Sequence, residues 1–298
     1  MRVTDRMMFE RATREGGKAK EALDLATQRL STGARFSHPG EDPAAAALVA
    51  LARARAERLD AVSRAAARAS DELVTADAAL SEVTAGLARA RELAVQLSAS
   101  TYAASERAAA AKEVRGVLSA AVASLNVKVG NRFLFGGTAD AAPPFDASVP
   151  GTVTYAGDAG VREVEIAPGV RQAASVRADV ALKGAGGGTD VLATLEALAA
   201  ALEANDPAAI RGTLDPLATG TDQLARARGE LGALMATFDA AVAAGEAGRD
   251  DARIEAAHLS DADPIAAAKD LAFAQRALEA ALTATAKGFQ LTLLDKLG

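Results

Sequence analysis

Neither cysteine nor tryptophan occurs among the 298 residues, and aromatic side chains make up only 3% of them. The lack of cysteine removes disulfide staples, thiolate metal sites and thiol nucleophiles together. It leaves the compartment open, since an exported protein can do without disulfides. The scarcity of aromatic rings argues against a large ligand pocket, because such rings line most of them. Histidine is limited to His38 and His258. The two are far apart in sequence and form no H-E-x-x-H pattern, so no zinc site is expected. His38 lies in the Ser37-His38-Pro39-Gly40 turn and reads as a solvated loop residue.

Charge of one sign is also missing. The net charge of −6 is modest and mixed along the chain, and no basic stripe of the kind nucleic acid requires is present. The arginines from Arg53 to Arg68 are interrupted by Glu57 and Asp60 and read as a solvated helix face. No stretch approaches the uncharged apolar length of a membrane span. The start, Met1-Arg2-Val3-Thr4-Asp5-Arg6, has no apolar segment, so a cleaved secretory signal is not expected.

Enzyme signatures fail one by one. The run Gly184-Ala185-Gly186-Gly187-Gly188-Thr189 has threonine where a dinucleotide fingerprint needs its third glycine, and no βαβ repeat follows. It reads as a flexible linker. Gly17-Lys18 lacks the upstream glycine of a phosphate loop, and no G-x-S-x-G occurs. Asp261 and Asp263 read as cap and surface residues rather than a calcium pair. No catalytic residue, cofactor or metal is expected.

What is present is helix. Alanine supplies most of the 50% hydrophobic share. It is the best helix former and a small knob, which suits close helix packing. Leu59, Val62, Ala66, Ala69, Leu73, Ala76, Leu80, Val83, Leu87, Ala90, Ala94 and Leu97 recur at alternating steps of three and four. That is a coiled-coil seam. It extends back through Ala52 and Leu48, with Arg55 the one charged seam position, toward Pro43 at the first helical position and Asp42 as cap. Such a helix would run roughly 80 Å at 1.5 Å per residue, beyond the roughly 50 Å diameter of a compact globule of this chain length. A rod is expected.

A second helix is predicted from about residue 105 to 129, ended by Gly130-Asn131-Arg132-Phe133-Leu134-Phe135-Gly136-Gly137. From there to about Gly188 the texture turns to glycine, proline and β-branched residues. Val153-Thr154-Tyr155 and Val164-Glu165-Ile166, around Gly157-Asp158-Ala159-Gly160, read as a β-hairpin. Helix resumes with Leu192, Leu195, Leu198 and Leu202, opens again at Asp206-Pro207, and continues with Leu224, Ala227, Leu231, Leu234 and Phe238. A last helix starts near Asp263-Pro264 and carries Leu271, Leu278, Leu282, Phe289 and Leu293. The first helix has a matching stripe of Met8, Ala12, Ala19, Leu23, Ala26 and Leu30.

The fold class expected is mainly α: a long antiparallel helical coiled-coil rod formed by the N- and C-terminal segments, with a small β-rich inserted domain. The divisions expected are an N-terminal helix over 1–41, long helices over 42–137, a small β-rich outer domain over 138–188, returning helices over 189–255 and a C-terminal helix over 256–298. Burying the three large residues of the N-terminal stripe contributes roughly 5–9 kcal/mol. Ordering about 25 backbone residues costs on the order of 25–50 kcal/mol. Residues 1 to about 35 and 265 to 298 are therefore expected to be mobile in the monomer and to order on assembly.

Several local runs resemble the flagellin superfamily. Leu30-Ser31-Thr32-Gly33-Ala34-Arg35 followed by Glu41-Asp42-Pro43-Ala44-Ala45 is similar to the family's segment between its terminal helix and the next one. Leu125-Asn126 with Phe133-Leu134-Phe135-Gly136-Gly137, Tyr155-Ala156-Gly157-Asp158, and Arg228-Gly229-Glu230-Leu231-Gly232-Ala233 resemble runs of its hook–filament junction branch. The tail from Gln275 to Leu294 is similar to the shared C-terminus, and together these runs cover nearly the whole chain in order. Gly16-Gly17 departs from the pattern, standing inside the first helix where a good helix former is usual.

The resemblance implies a structural, non-enzymatic subunit, exported unfolded by the flagellar type III route to the outside of the cell without a cleaved signal. It implies a ring of copies of itself between hook-associated protein 1 and flagellin, with a flagellar export chaperone guarding the C-terminal helix beforehand. Leu23, Leu30, Leu278, Leu282 and Phe289 would make the assembly contacts. The alternatives are flagellin itself and an unrelated coiled-coil scaffold.

Overall fold

The computed structural model describes the backbone over residues 2–149 and 151–297, and side chains for residue 7 and residues 10–149 and 151–286. The chain divides into two compact units. Residues 1–58 and 248–298 form a terminal unit, and residues 59–247 form a middle unit. The terminal unit holds 17 Lys and Arg against 16 Asp and Glu, whereas the middle unit holds 16 against 23. The net negative charge therefore belongs to the middle unit.

The middle unit is helical. It takes the second part of α2 (Pro43–Leu97), α3 (Ala104–Leu125), the short α4 (Ala178–Ala181), α5 (Val191–Glu203), α6 (Pro207–Gly212) and most of α7 (Leu214–Ser260). From Val62 to Leu97 every residue of the three/four seam is buried. Leu192, Leu195, Leu198 and Leu202 of α5 are wholly buried in the same core, with Leu224, Leu231 and Phe238 of α7. Polar ties fix the helix pairing. Ser70 Oγ meets Asp239 Oδ1 at 2.9 Å, and Arg228 holds Asp77 with two bonds of 2.8 and 3.1 Å, so α2 and α7 run antiparallel. Arg89 donates to Glu113 at 2.7 Å and Ser124 bonds Glu82, which sets α3 antiparallel to α2. The cap foreseen at Asp206 is present, its Oδ1 accepting from the Ala208 and Ala209 amides at 2.9 and 3.0 Å, and Asp190 adds one that was not foreseen, its Oδ1 accepting from Ala193 N at 3.0 Å.

Two glycines of α7 face open space. A Cβ at Gly229 or Gly232 would meet nothing within 4 Å. Gly229→Ala and Gly232→Ala are each expected to stabilise the protein by about 1 kcal/mol, measured by urea unfolding. Gly86 behaves oppositely, because a Cβ there would sit 2.7 Å from Val117 Cγ1. Gly86→Ala is expected to destabilise, since the β-branched Val117 has little rotamer freedom to yield.

The insert departs from the predicted pairing. The helix expected to reach residue 129 ends at Leu125, and Lys128–Val129 (β1) turns back on Arg132–Phe133 (β2). The reason is Asn126, whose amide donates to Phe145 O at 2.8 Å while its oxygen accepts from Phe145 N at 3.0 Å. Its side chain thus pairs like a strand residue. Thr152–Tyr155 (β4) pairs with Phe145–Val149 (β3), not with Glu163–Ala167 (β5), which pairs with Val170–Ala173 (β6). The decisive turns are at Gly151 and Gly169, with φ of 82° and 80°. Each follows a proline in the sequence, and Pro168-Gly169 forms the two-residue loop of the second hairpin. The Gly157–Gly160 segment is a connector knotted by Asp158, which accepts from Thr138 N at 2.7 Å and Gly160 N at 2.9 Å and also bonds the Thr138 hydroxyl. Tyr155 lies against Phe145 with ring centroids 5.1 Å apart and donates to Phe135 O at 3.0 Å. Burial and nearby carboxylates push its pKa up to about 12, so the phenol stays a donor. Glu72 of α2 pairs with both Arg132 (2.6 Å) and Arg162, fastening the insert to the helices.

The glycine run after α4 is not a free linker. Gly187 N and Gly188 N both bond Gly184 O, and buried Gln223 of α7 donates to Ala181 O and Thr189 O while accepting from Thr189 N. A Cβ at Gly188 would overlap the Gln223 side chain, so glycine there serves the close approach.

Candidate assembly interface of the terminal helices

The terminal unit holds α1 (Arg2–Thr32), the start of α2, the end of α7 and α8 (Pro264–Leu297). α1 runs unbroken through Gly16-Gly17. Its exit is built from residues that also end it: Thr32 Oγ1 back-bonds Gln28 O at 2.8 Å, and Gly33 takes φ 67°. Ala34 then bridges antiparallel to Asp261, with Arg35 N bonding Ser260 O at 2.7 Å and Ala262 N bonding Gly33 O at 2.8 Å. The end of α1 is thereby pinned to the start of α8. The two helices pack together from that point, so they are antiparallel.

The connector to α2 is equally determined. Glu41 Oε1 accepts from Ser37 N (3.1 Å), Ser37 Oγ (2.7 Å) and His38 N (3.1 Å). Asp42 caps α2 through Ala45 N at 3.0 Å and pairs with Arg35, whose guanidinium lies 5.9 Å from the centroid of the Phe36 ring. Phe36 and Leu259 pack on Val49, Ala52 and Ala256. Here the seam expected through Leu48 and Arg55 is corrected. The inward residues are Ala45, Val49, Ala52 and Ala56, while Leu48 is 53% exposed. Val62 and Ser63 are both buried, which shifts the phase by one residue between the two stretches.

The Ser37 hydroxyl, followed by the Ser37 and His38 amides, holds the Glu41 carboxyl below its ordinary value. The Ala45 amide and then Arg35 do the same for Asp42. A carboxylate with a lowered folded pKa contributes stability that is present above its unfolded value and lost as pH falls through the folded one. The connector is expected to be unchanged from pH 8 to about 5 and to open below roughly pH 4. Hydrogen exchange at the Ser37 and His38 amides measures it.

The helix pair buries small residues and leaves large ones outside. Among the described residues Ala26, Ala267 and Ala274 are its buried apolar side chains. Leu25, Leu30, Ile265, Phe273 and Leu282 are exposed, Phe273 at 66% and Leu282 at 60%. Of the residues expected to make assembly contacts, Leu23 and Leu278 are half-buried and Leu30 and Leu282 exposed. Phe289 belongs to α8, but its side chain lies outside the described residues. Sequence reading missed Leu25, Ile265 and Phe273, which stand off the three/four seam and carry no periodic signal.

Among the described residues no group of three or more acidic or histidine side chains is placed to hold a metal ion, and no helix is long and apolar enough to cross a membrane.

Residues 3–140 match the family model of the bacterial flagellin N-terminal helical region. That span takes in α1, α2, α3 and the first hairpin, so the match follows the architecture just described. Over these residues the chain resembles the flagellin superfamily. The chain is 28% identical to flagellar hook-associated protein 3 of Salmonella typhimurium over 153 residues, 51% of this chain and 48% of that protein. It is 36% identical to a flagellin of Listeria monocytogenes over 90 residues, 30% of this chain and 31% of that protein. The chain thus spans about half the length of the first of these relatives and about a third of the second. Among solved structures, a flagellar hook-associated protein of Vibrio parahaemolyticus superposes with a TM-score of 0.68 at 20% identity, over 74% of this chain and 100% of that one. The flagellar junction protein of Legionella pneumophila does so with a TM-score of 0.57 at 14% identity, over 72% and 100%. At these identities the superpositions show a shared fold and nothing further.

Proposed function

We propose that this chain is a member of the flagellin superfamily and the structural subunit of the hook–filament junction, forming a ring outside the cell between hook-associated protein 1 and flagellin. The observation that carries the reading is the α1–α8 pair, closed on itself through alanines while Leu25, Leu30, Ile265, Phe273 and Leu282 stay in water. Each of these leaves roughly 1–2 kcal/mol of burial unrealised in the single chain. Neighbouring copies recover it. The near balance of charge in the terminal unit favours close packing of many copies, and the negative charge of the middle unit suits a surface facing solvent. Leu23, Leu30, Leu278, Leu282 and Phe289 make the inner contacts, and residues 138–188 sit outward.

The chain acts without catalysis or cofactor, travels through the flagellar export route, and is guarded beforehand by an export chaperone that covers α8. The likeness to Listeria flagellin favours one second reading, a filament subunit. The two part on a single experiment: purified protein is added to hook fragments capped by hook-associated protein 1 and inspected by electron microscopy. A junction subunit caps the fragments and then accepts flagellin, whereas a filament subunit grows long filaments unaided.

A further inference from the structure

The seam of α2 does not stop where its burial stops. From Val62 toward the N-terminus, steps of three or four run on through Leu59, Arg55, Leu51 and Leu48. The inward face has by then moved to Ala45, Val49, Ala52 and Ala56. Leu48 and Leu51 are left 53% and 69% exposed, with Arg55 exposed beside them. The chain's own α7 does not cover this strip, because in the terminal unit it takes the inward face, where Val49 and Ala52 pack with Ala256. α7 repeats the arrangement there. Ala252 and Ala256 are buried, while Ile254 is 56% exposed between exposed Asp251 and Glu255. Arg55, Asp251 and Glu255 have no hydrogen-bond or ion-pair partner among the described residues. Single exposed apolar residues are ordinary. Here two helices of one unit each present large apolar residues in water beside unpaired charge, and the two charges are opposite.

We propose that the strip of Leu48, Leu51 and Arg55 on α2 docks the strip of Asp251, Ile254 and Glu255 on α7 of a second copy of this chain. This deepens the junction reading and rests on it. A second copy is the occupant because each chain carries both halves of the match. Leu48 and Leu51, one turn apart on α2, offer Ile254 an apolar seat. Arg55 offers a planar fork to the carboxylates that flank Ile254. Two α2 strips facing each other would set arginine against arginine, so α2 meets α7. The charged pair fixes the register of a contact whose remaining energy is nondirectional burial, much as a polar residue does in a coiled-coil seam. Three large side chains bury far less than the roughly 1,200 Å² of a stable interface. The contact therefore leaves the dilute chain monomeric and forms where other contacts already hold copies side by side.

The test compares full-length wild type, Arg55→Glu, and the double variant Asp251→Lys with Glu255→Lys. Two readouts are taken: the unfolding midpoint of the monomer, and the half-saturating concentration for addition to hook fragments capped by hook-associated protein 1. All three positions are exposed and unpaired, so both variants are expected to keep the wild-type midpoint. Each variant alone sets like charges across the contact, and its half-saturating concentration is expected to rise about tenfold or more. An equimolar mixture of the two is expected to return close to wild type, because the reversed α2 of one variant meets the reversed α7 of the other. Variants that add as wild type does would overturn the inference and leave the junction reading standing. A lowered midpoint that accounts for the loss would show the charges serving their own chain, which also overturns it. Losses that the mixture does not repair would give the strips to a different protein and overturn the assignment to a second copy. A wild-type chain that adds to nothing defeats the junction reading itself, and this inference with it.

Discussion

Replacing Arg107 by alanine is expected to destabilise the protein by about 3 kcal/mol or more. The side chain is 3% exposed, and every bond it makes is to a neutral acceptor. Its Nε donates to Leu97 O at 3.0 Å, Nη2 to Ala99 O at 2.6 Å and Nη1 to Asn205 Oδ1 at 2.5 Å. Leu97 is the last residue of α2, so the cation lies at the negative end of a 55-residue helix. Asn205 holds φ 54° in the turn between α5 and α6. One side chain therefore ties the α2–α3 turn to the α5–α6 turn. Removing it strands three acceptors in the core and releases a strained backbone position. Lysine is expected to fail nearly as badly, because one ammonium cannot span three acceptors set by a planar fork. Arg115→Ala, which breaks an ion pair with half-exposed Glu203, serves as the control and is expected to cost under about 0.5 kcal/mol. Urea midpoints of the three variants decide the matter, and an Arg107→Lys midpoint equal to wild type would refute the clamp.

Deleting residues 265–298 is expected to abolish addition to capped hook fragments while leaving the core of the middle unit intact. The core from Ala66 to Phe238 lies wholly within residues 59–247, so none of its buried side chains depends on α8. α1 has the opposite standing. Its packing partner in the terminal unit is α8, and Ala26 is its buried apolar residue among those described. An isolated helix of that length with few large apolar residues is marginal in water. The truncated chain is therefore expected to lose helical signal beyond the deleted residues, while its main unfolding transition keeps its midpoint. Circular dichroism with fragment binding measures both. Retained binding would favour a scaffold that does not need its ends.

Much of this was legible in the chain. The seam from Leu59 to Leu97 follows from small and branched apolar residues at an unbroken period, and packing had no competing pattern to override it. The caps at Asp42, Asp206 and Asp263 were legible because each acidic residue directly precedes a proline at the first helical position, whereas Asp190, with no proline behind it, was missed. The same seam misled below residue 59, because a heptad extrapolated from one stretch cannot foresee a change of phase. The burial of Ala56 in place of Arg55, and of Val49 in place of Leu48, reveals it. In the insert, strand identity was visible in β-branched residues, but partner choice was set by glycine turns at 151 and 169 and by side chains acting as backbone. Asn126 and Asp158 carry no periodic signature.

The central claim is that the terminal helix pair is an unfinished surface completed by neighbouring copies at the junction. The most direct measurement is electron microscopy of the purified chain, alone and after addition to hook fragments capped by hook-associated protein 1. The account predicts monomers alone, a short cap on the fragments, and flagellin growth only from capped ends. Long filaments from the chain alone, or no binding to the capped fragments, would contradict it.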